Sequence, residues 1–122
     1  MEPCFFVRAD KRNIRIGVKD ISFIQSMGNY VVIVTNVRRV VTLLSIQQLA
    51  KFLPEDQFLQ VHRSYIIALS EVSSFDSENV VVGGVTIPIG HNYHGLLEER
   101  FTLLVSEVRG KAALIRRIGN NM

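Results

Sequence analysis

Short apolar runs separated by polar turns dominate the chain. Residues 4–8 and 13–17 are rich in Phe, Val and Ile, and the polar residues between them are typical of a hairpin turn. The same alternation through residues 21–25, 30–35 and 38–43 predicts three more strands in an antiparallel meander. Strands of this kind, joined by short connections, indicate a domain that is mainly β.

The period changes to that of a helix in two places. The first predicted helix begins at the capping residue Ser45 and ends before Pro54. The second extends from about Asn92 to Gly110, because its apolar residues fall on one helical stripe. The residues of that stripe are Leu96, Leu97, Phe101, Leu104 and Val105.

Between the two predicted helices the β pattern returns. Residues 58–62, 72–76, 80–82 and 85–89 read as short strands, and Gly83-Gly84 predicts a two-residue hairpin turn. Residues 65–69 are apolar throughout, so their periodicity does not distinguish strand from helix. We expect one domain over residues 1–108, followed by a basic C-terminal tail over residues 109–122.

Composition restricts the class of protein. The chain has 122 residues and is 48% hydrophobic, which suits a single globular domain. Its apolar runs, such as residues 65–69, are far shorter than the roughly 20 residues that cross a bilayer. The start of the chain lacks the pattern of a secretory signal, and the single cysteine, Cys4, cannot form an internal disulfide. We therefore expect a cytoplasmic protein without membrane association.

The net charge of +3 is concentrated at the ends of the chain. Residues 13–105 carry 7 basic against 8 acidic residues, whereas residues 106–122 carry 4 against 1. A body close to neutrality is a weak electrostatic indication of nucleic-acid binding.

Enzymatic and metal-binding patterns are weak. His62 and Ser64 share a strand face, but no Gly-x-Ser-x-Gly turn surrounds the serine. His91, His94 and Glu98 would share one face if the second helix began by His91, which is the alternative of a zinc site. No phosphate-binding glycine motif is present. We expect no catalytic residue, no metal and no cofactor.

The residues around His62 resemble the signature of a known family. Phe58-Leu59-Gln60-Val61-His62-Arg63-Ser64-Tyr65-Ile66-Ile67 is similar to the signature of LytTR domains, the DNA-binding output domains of many bacterial response regulators. Asp20-Ile21-Ser22-Phe23-Ile24, the first predicted helix and Ile87-Pro88-Ile89-Gly90 match the family in the same order. The resemblance covers roughly residues 5–103.

The resemblance implies a fold and a mode of binding. The implied fold is an elongated stack of short antiparallel sheets with two short helices, whose loops meet double-stranded DNA. Residues 26–30 and 91–92 would enter neighbouring major grooves, and residues 68–70 would approach the backbone and minor groove between them. The DNA-binding residues expected on this basis are Asn29, Tyr30, Arg63, Ser70, His91 and Asn92.

The resemblance also implies partners. Family members usually carry an upstream receiver domain, so we expect this domain to be monomeric alone and dimeric on DNA, as the output module of a two-component transcription regulator.

Each residue also has a structural interpretation. For Asn29 beside Gly28 the alternative is a role in the turn alone, and for Arg63, expected in a strand, it is an ion pair with an acidic neighbour. For His62 we favour a structural role, in which the side chain is packed and hydrogen-bonded. Arg38 and Arg39 are phosphate candidates or part of a solvated turn.

Two positions depart from the family pattern. Family members commonly have Asn where this chain has Ala68, and often Arg where it has His91. Loss of those groups would weaken contact with DNA. The alternative is therefore a LytTR-like protein-interaction or regulatory module with weakened or lost DNA contact.

Overall fold

The fold consists of short strands with two small helices. The structure, a computed structural model, describes residues 2–109 and 112–119, and describes side chains through residue 106. The helices are α1 (Ile46–Ala50) and α2 (Leu96–Arg100), and 3₁₀ turns occupy Val18–Asp20, Leu69–Glu71 and His91–Tyr93. The strands are β1 (Cys4–Ala9), β2 (Arg12–Gly17), β3 (Ile21–Met27), β4 (Tyr30–Thr35), β5 (Arg39–Thr42), β6 (Phe58–His62), β7 (Tyr65–Ala68), β8 (Val72–Phe75), β9 (Asn79–Val82), β10 (Val85–Pro88), β11 (Thr102–Arg109) and β12 (Ala112–Gly119).

These strands form four antiparallel sheets. The largest has five strands in the order β5-β4-β3-β7-β6, and a second has three in the order β10-β9-β8. The remaining strands form the hairpins β1-β2 and β11-β12. The expected mainly β architecture is confirmed.

The five-stranded sheet carries a core on each face. In β3, the buried side chains of Ile24 and Phe23 belong to different apolar clusters, and Ile66 and Ile67 of β7 alternate in the same way. The first cluster includes residues of β1, β2 and α1, and the second includes residues of β9, β10 and α2. A strand covered on both faces is apolar throughout. This explains why residues 65–69 show no period in the sequence.

Two hairpin turns have the positive φ angles that two-residue connections require. Gly83 and Gly84 have φ of 54° and 79°, and the prediction of a two-residue turn there is confirmed. Asp10 and Lys11, in the β1–β2 turn, have φ of 51° and 62° without being glycine. Positive φ at both central residues gives a turn whose twist matches the flanking strands.

The first helix begins where the sequence predicts. The Ser45 hydroxyl accepts the Gln48 backbone N–H, and the Gln48 side chain accepts the Ser45 backbone N–H. This capping box satisfies two donors that the first turn leaves free. The helix ends at Ala50, earlier than predicted, although Leu53 is still buried in the first cluster.

The second predicted helix is wrong over most of its length. α2 covers Leu96–Arg100 only, after Gly95 with φ of 87°, and Phe101 is already extended. β11 follows and pairs along its whole length with β12. The ladder satisfies backbone groups that a longer helix would have paired internally, so tertiary pairing overrides the helical stripe.

β12 lies within the residues that the sequence assigned to a basic tail. The expected domain boundary between residues 108 and 109 falls inside β11. The remaining tail positions, 110–111 and 120–122, lie outside the described residues.

Candidate nucleic-acid interface

Three turns meet at one end of the five-stranded sheet, which we name the turn end. It consists of residues 27–30 between β3 and β4, residues 62–64 between β6 and β7, and residues 90–93 after β10. The first two turns are joined directly, because the Ser26 N–H donates to the Ser64 carbonyl at 2.8 Å. Strand pairing therefore fixes their relative position.

The third turn joins the same end through β6. The Gly90 N–H donates to the Val61 carbonyl at 2.8 Å, and a Cβ at Gly90 would lie 2.9 Å from the Tyr93 ring and 3.5 Å from the His62 Cα. Any side chain at residue 90 would therefore displace the Tyr93 ring. His91 and Asn92, which follow it, are exposed beside the end of β6.

The first turn presents an amide. Asn29 is exposed and follows Gly28, whose φ is 71°. Tyr30 begins β4, is half-buried and pairs with Met27. The turn geometry is supplied by the glycine, which leaves the Asn29 side chain exposed to solvent.

The middle turn has a rigid backbone and one exposed charge. The His62 Nδ1 accepts the Ser64 backbone N–H at 3.1 Å, and its ring lies edge-on to Tyr65 at 5.5 Å. Gln60 donates to the carbonyls of His62 and Arg63 at 3.2 and 3.4 Å. His62 thus has the structural role that the sequence favoured. Its Nδ1 is occupied by a backbone amide and is not aimed at the Ser64 hydroxyl as a base would be.

Arg63 lies in this turn, and its predicted place in a strand is wrong. Its side chain is exposed, and in the described part of the chain the one salt bridge joins Lys19 and Glu2. An acidic partner for Arg63 is therefore absent from that part. The sequence signal for this turn is the polar pair Arg63-Ser64 between two strand patterns.

Ser70 and Ala68 do not reach the turn end. Ser70 is exposed on a 3₁₀ turn at the far end of β7, where the Leu69 N–H donates to the Gln57 carbonyl at 2.9 Å. The length of β7 separates Ser70 from Arg63 by roughly 15 Å or more. Contrary to the sequence-based expectation, residues 68–70 do not lie between the other two loops, and the turn that contains Arg63 lies there instead.

Ala68 is only 4% exposed and belongs to the first cluster, opposite Phe58 in the β6–β7 ladder. Its departure from the family pattern therefore does not alter the turn end. Arg38 and Arg39 also lie at the opposite end of the sheet, at the turn between β4 and β5.

His91, His94 and Glu98 do not have the helical geometry expected for the alternative zinc site. The residues 91–93 form a 3₁₀ turn, His94 is extended with ψ of 139°, and α2 starts only after Gly95. The three side chains therefore do not follow one helix. Among the residues that the structure describes, no group of three or more His, Cys, Asp or Glu could hold a metal ion.

Charge is distributed unevenly along the five-stranded sheet. Residues 21–54, 57–70 and 79–97, which include all three turns, contain no Asp or Glu. The opposite end carries both signs, with Lys19, Arg38 and Arg39 near four acidic residues. These are Asp20, Glu55, Asp56 and Glu71. The near-neutral composition of the body thus conceals an end without carboxylates.

An acidic turn borders the turn end on the His91 side. The Ile89 N–H donates to the Glu78 carbonyl at 2.8 Å, which places the β8–β9 turn beside residues 90–93. The Asp76 carboxylate accepts the backbone N–H groups of Glu78 and Asn79, each at 2.8 Å. These hydrogen bonds lower the pKa of Asp76 below its ordinary value, so its charge is fixed at neutral pH.

The family model of the LytTr DNA-binding domain matches residues 11–102. The chain belongs to the LytTR family. Among solved structures, the chain is similar to the LytTr DNA-binding domain of a methyl-accepting/DNA response regulator from Bacillus cereus, with a TM-score of 0.65 and 15% identity. The similarity covers 76% of this chain and 91% of that one and confirms the LytTr fold. The comparison with curated proteins gives no match.

The LytTR family is one of DNA-binding domains, and the described turns give this LytTR chain an accessible polar end. Within the part of the chain that the structure describes, none of the helices has the length and apolar character needed to span a bilayer.

Proposed function

We propose that the chain binds double-stranded DNA in a sequence-specific manner through the turn end. The observation that carries this proposal is the convergence of three exposed polar turns, free of carboxylates, on one end of a rigid sheet. Phosphates repel carboxylates and attract cations, so a surface of this kind is suited to a polyanion. Membership of a family of DNA-binding domains supports the same function.

Each turn has a chemical role in this proposal. The amides of Asn29 and Asn92 can pair with the N6 and N7 of adenine in the major groove, and His91 can donate to guanine or to phosphate. The Tyr30 hydroxyl and Arg63 contact phosphates and set the position of the domain. Residues 27–30 and 90–93 then approach neighbouring major grooves, with Arg63 at the backbone between them.

The family and the similar structure support a proposal for the biological setting. The domain acts in the cytoplasm as the output module of a response regulator, alone or after an upstream receiver domain. Two copies on adjacent half-sites would multiply affinity through effective concentration. The isolated domain is then a monomer that binds one half-site modestly.

Selection of bound sequences from a random duplex pool tests this function directly. We expect a recurring motif, with affinity that falls steeply as salt rises. Replacing His91→Ala and Asn92→Ala together should weaken binding to that motif by roughly 1–3 kcal/mol while the thermal transition stays in place.

The matched control is Ser70→Ala, an exposed polar residue at the opposite end of the sheet, which should leave binding unchanged. Absence of any salt-sensitive duplex binding would contradict the proposal and favour the protein-interaction alternative. Duplex binding without sequence preference would support DNA binding but contradict sequence-specific recognition.

A further inference from the structure

The first hairpin brings another turn close to Tyr30. Tyr30 and residues 8–11 line a cleft of about 500 Å³, together with residues 41–43 of β5 and the loop after it. The Thr42 hydroxyl donates to the Arg8 carbonyl at 2.6 Å, which holds β1 against the edge of the five-stranded sheet. Because Thr42 pairs with Val31, this contact lies one residue from Tyr30 along β4.

The hairpin extends along the edge of the sheet, from the cleft beside Tyr30 to a second cleft beside Arg38 and Arg39. Arg8 and Lys11 line the first cleft only, whereas Asp10 lines both. β2 also lies on the far side, where the Arg38 guanidinium donates to the Arg15 carbonyl at 3.5 Å. Arg8 also donates to the carbonyl of Lys11 at 3.5 Å, so its guanidinium lies by the hairpin turn. Arg8 and Lys11 are consequently next to the turn end, on the side away from His91.

The charge of this hairpin turn is positive. Arg8, Lys11 and Arg12 are exposed, against the single carboxylate of Asp10. Within the described residues, the one salt bridge joins Lys19 and Glu2, so Arg8 and Lys11 have no ionic partner there. The turn end therefore has a positive neighbour at Lys11 and, on its other side, the negative neighbour formed by Asp76 and Glu78.

We infer that Arg8 and Lys11 form an additional phosphate-binding site, which extends the DNA interface beyond the three turns on the Tyr30 side. The inference rests on the proposed function, and it depends on continuity with the turn end and on charge complementarity with the phosphate backbone. Such contacts raise affinity for any duplex and carry no sequence information. Arg8 lies before the segment matched by the family model, which begins at residue 11.

Two charge-matched double variants test the site. Arg8→Gln with Lys11→Gln removes two cations beside Tyr30, and Arg38→Gln with Arg39→Gln removes two cations at the opposite end of the sheet. Affinity for the selected duplex is measured over a range of salt concentrations. The first variant should reduce the slope of log K against log salt by about 2 and weaken binding roughly tenfold or more at low salt.

The preferred sequence should not change in that variant, and the Arg38 and Arg39 variant should retain the wild-type slope. A third variant, Asp10→Asn, keeps a residue that tolerates positive φ and should strengthen binding. Thermal melting of all variants checks that the fold is intact.

Equal slopes in both double variants, or no loss in the first, would overturn the additional site while leaving the proposed function in place. Failure of the wild-type chain to bind any duplex would reject both. Loss of sequence preference in the Arg8 and Lys11 variant would instead assign these residues to base recognition and overturn the inference of a phosphate site.

Discussion

The two ends of the five-stranded sheet are built from the same strands but differ in chemistry. At the turn end, Arg63 is the permanent charge within three turns that contain no Asp or Glu. At the opposite end, carboxylates such as Glu55 and Glu71 are mixed with the cations Lys19, Arg38 and Arg39. One end suits a polyanion, and the other is an ordinary solvated surface.

Net charge is therefore a poor guide to how charge is distributed over the surface of this domain. In an antiparallel sheet, successive connections between strands lie at opposite ends. Residues in successive connections are therefore divided between the two ends of the sheet. Arg63 and Glu71 are separated by only one strand in sequence, yet they lie at different ends. This division gives a nearly neutral body one end that is free of carboxylates.

The largest effect on DNA binding is expected from replacing Arg63. Arg63→Ala should weaken binding to the selected duplex by about 1.5–3 kcal/mol, since it removes the one permanent charge of the turn end and its charged hydrogen bond to phosphate. Arg39→Ala, an equal change at the opposite end, should alter affinity by less than about twofold. Mobility-shift titrations of both variants measure the difference. Equal losses would show that the two ends are not functionally distinct.

A smaller effect is expected from the two glycines of opposite turns. Gly28 has φ of 71° at the turn end, and Gly83 has φ of 54° beside Ser22, so alanine at either site should cost about 1 kcal/mol of stability. Only Gly28→Ala should also weaken DNA binding, because it displaces Asn29. Denaturant unfolding and binding titrations separate the two effects. A loss of affinity in Gly83→Ala would contradict the assignment.

The smallest effect is expected at the acidic border of the turn end. Glu78→Gln removes a negative charge next to residues 90–93 and should strengthen binding a few-fold at low salt. Glu71→Gln makes the same change at the opposite end and should have no effect. Salt titration of both variants provides the measurement. If Glu78→Gln weakens binding, the acidic turn is part of the DNA contact and not its limit.

Much of the fold could be predicted from local pattern. The strands at residues 30–35 and 58–62 have the predicted bounds, and Ser45 caps the first helix as expected. These features depend on neighbours in sequence, such as side-chain alternation or a capping hydroxyl. The prediction of a long second helix was wrong because β11 pairs with β12, and no local sequence pattern indicates that pairing.

The candidate site could be predicted only in part. The family resemblance indicated Asn29, Arg63, His91 and Asn92, and the structure brings them to one end of the sheet. It also indicated Ser70, which lies at the other end, because one strand length separates two turns that are close in sequence. The contribution proposed for Arg8 depends on the packing of a hairpin against β5, which is invisible in the sequence.

Residue types at short spacing were enough to predict most strands before β11, the capped start of α1 and the family of this protein. The sharing of one sheet end by three turns, and the absence of carboxylates from those turns, became visible only from the strand order and register. The physical reason is that strand order and register, set by two cores on opposite faces of β3 and β7, bring together residues that are far apart in the chain.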